Sequence, residues 1–149
     1  MEPADESLPS SPRRIFVPTD FSEYAHSAIL AAYGLLSAEG GEVRLLHVEV
    51  PDRVRAYSAQ EDEAILERLR ALEPAWAVSR HITTTVAVVH RLQLADAILE
   101  EAEAFSADLI CIGSQGRTGL ARALLGSVAG DVLRKCRLPL LVVPPRKTG

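Results

Sequence analysis

A set of spaced glycines is the first feature of this 149-residue chain that suggests chemistry. Gly113-Ser114-Gln115-Gly116 is followed, nine residues on, by Gly126-Ser127, a spacing of G-x2-G-x9-G-S. Glycine lets backbone N–H groups come close to an anion, and a helix N-terminus carries partial positive charge. A strand, this segment, and a helix opening at Gly126-Ser127 therefore predict a phosphate cradle, with Ser127 capping the helix and donating its hydroxyl to a phosphate. The same residues also suit a tight turn with an ordinary serine cap. The segment is neither a Walker loop nor G-x-G-x-x-G. Arg117, and with less force Arg122, could neutralise a phosphate; a solvated surface arginine is the alternative.

Pro18-Thr19-Asp20 is the second feature, at the end of the first apolar run. In open parallel sheets, ligands sit beyond the carboxyl ends of the strands where the strand order reverses. With an order of 3-2-1-4-5 that point lies between the first and fourth strands. Asp20 would then face the glycine segment across one crevice. It could accept from a ribose hydroxyl, hold water around a metal, or simply cap the helix that follows. His26, His47, His81 and His90 show no metal-ligand spacing. His47 falls in an apolar strand, where a hydrogen-bonded core histidine is the better reading. His81 and His90 bracket a strand and are expected to be exposed. No nucleophile elbow is present.

The elements that must position these residues follow from hydrophobic periodicity. Short apolar runs at 15–17, 43–50, 82–89, 109–112 and 140–143 predict five strands. Amphipathic stretches at 22–36, 59–72, 93–105 and 127–136 predict four helices, the last with Val128, Val132 and Leu133 inward. Asp20 or Ser22 is placed to cap the first helix, and Pro74 breaks or kinks the second. Glu61-Asp62-Glu63 reads as the solvated, acidic start of the second helix. Strands alternating with helices imply an α/β fold: a single open parallel sheet covered on both faces.

Composition sets the outer bounds. The length suits one domain. Residues 1–12 are acidic and Pro/Ser-rich and read as a disordered tail, with the domain at 13–149. The net charge of −4 argues against non-specific nucleic-acid binding, and an aromatic content of 5% argues against a base-stacking platform. No apolar run is long enough to span a membrane, and the N-terminus lacks the apolar core of a secretory signal. Cys111 and Cys136 read as buried thiols of a reducing, cytoplasmic compartment.

Taken together, the motifs resemble the universal stress protein family. The resemblance rests on Ile15-Phe16-Val17-Pro18-Thr19-Asp20-Phe21-Ser22, Leu45-Leu46-His47-Val48, Ala107 to Gly116, Leu124-Leu125-Gly126-Ser127-Val128-Ala129 and Leu138 to Val143, and covers residues 14–145. It implies the adenine-nucleotide α hydrolase-like fold with strand order 3-2-1-4-5. Because the chain carries the glycine pattern complete, it also implies binding of ATP, with or without Mg, or of a related adenine nucleotide. Thr19 and Asp20, with Pro18 before them, would lie near sugar and phosphates and Val48 would border the adenine. Ile112, Ser114 and Val128 would flank the cradle of Gly113, Gly116, Gly126 and Ser127. The family's frequent Gly-x-Pro before the third helix is replaced here by Leu92-Gln93-Leu94. The implied role is a cytoplasmic, nucleotide-liganded regulator that hydrolyses ATP slowly at most, dimeric through the uncharged edge strand Leu140–Val143. The alternatives are a nucleotide-free interaction module of the same fold and a nucleotidyl transferase.

Overall fold

The computed structural model describes residues 11–52, 56–115 and 125–145. Their elements run β1 (Arg14–Pro18), α1 (Glu23–Leu36), β2 (Gly41–Glu49), α2 (Ala59–Arg70), β3 (Ile82–His90), α3 (Leu94–Ala104), β4 (Leu109–Gly113), α4 (Ser127–Lys135) and β5 (Leu140–Val143). All strand pairs are parallel, in the order β3-β2-β1-β4-β5. The expected sheet and its reversal between β1 and β4 are therefore present. Of the N-terminal tail, residues 1–10 lie outside the described residues.

The continuous apolar character of β1 follows from its central place. Ile15 and Val17 point to one face, packing with Ala28, Ile29 and Tyr33 of α1 and Leu69 of α2. Phe16 points to the other, against Ala95 and Ile98 of α3 and Ala129 and Val132 of α4. A strand buried on both faces needs apolar residues at both parities, so it shows no alternation. Among the described residues no helix is long and apolar enough to cross a membrane.

Polar side chains set where the helices begin. Ser22, not Asp20, caps α1, its Oγ accepting from the Ala25 N–H at 3.2 Å. Ser58 and Glu61 form a reciprocal capping box on α2. Such caps contribute about 1 kcal/mol each. Glu61 is thus a cap rather than a merely solvated charge, and Asp62 accepts from His90 Nε2 at 2.8 Å. That pairing, together with Tyr57 stacked 4.8 Å from the ring, makes His90 half-buried rather than exposed. α2 ends at Arg70, short of Pro74.

Two further expectations are corrected. Leu133 is 50% exposed, and the inward side of α4 is carried by Ala129 and Val132. Cys111 is buried, but Cys136 is only half-buried, at the end of α4.

Candidate functional site

The carboxyl ends of the strands open on a crevice of about 460 Å³. Its floor is made where β1 and β4 part, by Pro18, Thr19 and Asp20 on one side and Ile112 and Gly113 on the other. Leu46 and Val48 of β2, Leu94 and Ile98 of α3, and Val128 and Ala129 of α4 give it an apolar wall. Gly126 and Ser127 stand at its rim. A flat apolar ring would be enclosed at the first wall and an anion would meet the helix end at the rim.

The start of α4 suits that anion. Gly126 is the N-cap, in an extended conformation (φ −67°, ψ 168°), and among the described residues no side chain caps the helix. The first-turn N–H groups of a helix have no partner within it. α4 carries no acidic residue in its first turn and Arg134 and Lys135 in its last, so no charge of its own offsets the dipole at the crevice end. The expectation that Ser127 is the cap is corrected: Ser127 is the first helical residue, exposed, and its hydroxyl is not spent on the helix.

The exit of β1 is held by four hydrogen bonds. The Thr19 N–H donates to the Leu46 carbonyl at 2.8 Å, fixing Thr19 in line with β2. The Thr19 hydroxyl accepts from the Phe21 N–H at 3.0 Å. Asp20 Oδ1 accepts from the Ser22 N–H at 2.9 Å, and Asp20 lines the crevice. His47 Nδ1 reaches the Thr19 carbonyl at 2.8 Å. His47 is therefore the hydrogen-bonded core histidine expected, and its second nitrogen lies 2.7 Å from Glu49 Oε1.

Glycine at 113 has a structural reason: a Cβ there would stand 2.9 Å from the Tyr24 carbonyl oxygen, so the missing side chain lets β4 meet α1. Ser114 is buried and lines no part of the crevice; its N–H donates to the Val143 carbonyl at 2.9 Å and its carbonyl accepts from the Gly126 N–H at 2.6 Å. Gly116, Arg117 and Arg122 lie outside the described residues. Pro18, Thr19, Asp20, Val48, Ile112, Gly113, Gly126, Ser127 and Val128 are all brought to the one crevice. Leu94, Ile98 and Ala129 were not singled out from the sequence, because inward helical positions look alike whether they face a core or a cavity. Among the described residues no three His, Cys, Asp or Glu side chains converge as a metal site.

The sequence matches the model of the universal stress protein family over residues 12–144. Universal stress protein MJ0531 of Methanocaldococcus jannaschii is 30% identical over 147 residues, covering 91% of this chain and 84% of that one. The solved structure of protein MJ0577 of the same organism is 29% identical, with a TM-score of 0.74 over 94% of this chain and all of its own. A universal stress protein solved in complex with cAMP is 24% identical, with a TM-score of 0.67 over 92% of this chain, a likeness of fold.

Proposed function

We propose that this chain, which belongs to the universal stress protein family, binds an adenine nucleotide, ATP in the first instance, in the crevice between β1 and β4. The observation that carries the reading is the pairing of an apolar slot with an uncapped helix end in one cavity. In this reading the adenine lies between Val48, Leu94, Ile98 and Val128. Asp20 accepts from the ribose hydroxyls. The phosphates meet the N–H groups at the start of α4 and the Ser127 hydroxyl, with the glycine segment wrapping them. The cAMP complex of a relative of the same fold supports an adenine nucleotide as the ligand class.

The reading includes a second copy of the chain, in the cytoplasm. β5 ends the sheet order, and Leu141 on it is 36% exposed. An uncharged edge strand is an aggregation hazard unless paired or covered. Pairing with its own copy about a two-fold axis satisfies it. Leu141→Lys is then expected to give a monomer by light scattering where the wild type gives a dimer; a monomeric wild type would remove this part of the reading. Cys111 and Cys136 are free thiols, in keeping with a reducing compartment.

The test of the ligand is direct. Purified protein is heated, cleared by centrifugation, and the supernatant assayed for adenine nucleotide. Near-stoichiometric release supports the reading. A nucleotide-free protein that also takes up none on incubation with ATP contradicts it and leaves the fold as an interaction module.

A further inference from the structure

On the α1/α2 side of the sheet, His47 and Glu49, which also line the crevice, form a polar arrangement that the nucleotide reading does not use. His47 is 6% exposed, and both of its ring nitrogens face oxygen atoms. Nδ1 is 2.8 Å from the Thr19 carbonyl, which can only accept, so Nδ1 carries a proton. Nε2 is 2.7 Å from Glu49 Oε1, a distance that requires a proton between them. Nδ1–H and the shared proton cannot both be present when His47 is neutral and Glu49 ionised. The arrangement therefore needs one proton more than that pair holds, carried as imidazolium beside carboxylate or as the neutral acid beside imidazole.

The ring's other surroundings keep it in place. The Phe21 ring lies 4.8 Å from it, with the Phe21 backbone in the left-handed region at φ 65°. The Arg68 guanidinium of α2 sits 3.9 Å from the Phe21 ring centre. Among the described residues, Glu49 on its own strand is at hydrogen-bond distance from the ring, and Arg68 of α2 lies across Phe21. One step further, His90 is the β3 register partner of Glu49 and is paired with Asp62 of α2.

We propose that His47 is a positioning residue for the nucleotide, a proton-dependent latch that fixes the Thr19 carbonyl and through it the angle at which Asp20 enters the crevice. The inference rests on the nucleotide reading and deepens it. When the shared proton leaves, the Nε2 lone pair opposes the Glu49 carboxylate, the ring turns or withdraws, and the Thr19 carbonyl loses its donor. The site is competent with the proton in place and weakens once that proton is lost. A carboxamide at position 49 can instead donate to a neutral Nε2, so Glu49→Gln keeps the latch closed without that proton. In His47→Asn an amide N–H takes the place of Nδ1–H and removes the titration.

The experiment has a ligand-free arm and a ligand arm. By NMR on the nucleotide-free protein across a pH series, the Thr19 and Asp20 amide resonances are expected to move together with the His47 ring nitrogens. In Glu49→Gln they are expected to stay still. In calorimetric titrations over the same range, wild-type Kd for ATP is expected to rise about tenfold, the loss of roughly one charge-assisted hydrogen bond. Glu49→Gln and His47→Asn are expected to lack that rise, whereas ATP's own titration is common to all three proteins. Amides at 19 and 20 that stay still across the pH series overturn the latch whatever binds. A rise in Kd that persists in Glu49→Gln overturns its link to affinity. Titrating amides in a protein that binds no ATP at any pH would instead remove the nucleotide reading, and the positioning role with it.

Discussion

The Gly126 N–H donates to the Ser114 carbonyl at 2.6 Å, joining the two ends of the glycine segment. Ser114 is buried and its own N–H is held by Val143 of β5. One residue thus ties the end of β4, the edge strand and the start of α4. The distance between the crevice floor at Ile112 and the helix end at Ser127 is set by this link.

Gly126→Pro tests the link with little else changed. Gly126 has a φ of −67°, the value proline imposes, so the substitution keeps the bend and deletes the N–H. It leaves the buried Ser114 carbonyl short of a donor, a cost of about 1–3 kcal/mol. We expect a lower melting temperature and at least tenfold weaker ATP binding. Wild-type values for both would show that the ends are held by something else.

Ser127→Ala separates binding from capping. Ser127 sits after the cap position and no cap bond uses its side chain. Stability by urea unfolding is expected to change by less than about 0.5 kcal/mol. ATP affinity is expected to fall about fivefold, the loss of one hydrogen bond of about 1 kcal/mol. The reverse pattern, a stability loss with affinity intact, would make the hydroxyl structural.

Gly113→Ala should act on the fold. Its Cβ would stand 2.9 Å from a backbone oxygen of α1, which a packed helix cannot easily yield. Overpacking of this kind costs about 1–3 kcal/mol. A lower denaturation midpoint is the expected readout, and an unchanged one would show that α1 moves freely relative to β4.

Alkaline pH should unfold the protein through its core. Burial pushes the Cys111 thiol up from 9.0 to about 12. Burial likewise moves the Tyr33 hydroxyl from 10.0 to about 12, against the lowering effect of its hydrogen bond to Thr84. Both groups ionise more readily in the unfolded chain, which binds fewer protons than the native state in that range. The contribution of these two groups is therefore full below about pH 9 and is lost as pH rises toward 12. Cys111→Ala should make that decline shallower, as followed by denaturation midpoints at stepped pH. A decline as steep as in the wild type would place its cause elsewhere. In the native protein at neutral pH, Cys111 should also resist alkylation.

Much of this was legible in the sequence because the relevant signals are local. The apolar runs gave the five strands, and the glycine spacing with Pro18-Thr19-Asp20 marked both sides of the crevice. Strand order came from the family resemblance, since periodicity says nothing of which strands pair. What stayed hidden depends on register and packing. Glu49 looks like an ordinary polar strand end until the sheet places it beside His47 and opposite His90. That Gly113 also lets α1 pack closely against β4 shows only once the two elements are docked. Ser127 looks like a cap because serine favours that position, yet the extended backbone and helix start fall one residue earlier, at Gly126. Leu133 has the right chemistry for a core and yet is 50% exposed.

The central claim, that the crevice between β1 and β4 is an adenine-nucleotide site, is tested most directly by isothermal titration of ATP into nucleotide-free protein. Wild type is compared with Ile98→Asp, which sets a charge in the apolar slot, and thermal melts confirm that the variant is folded. Saturable binding of one ATP per chain by the wild type, lost in the folded variant, is the predicted result. No heat above dilution for the wild type, or wild-type affinity in Ile98→Asp, would contradict the account.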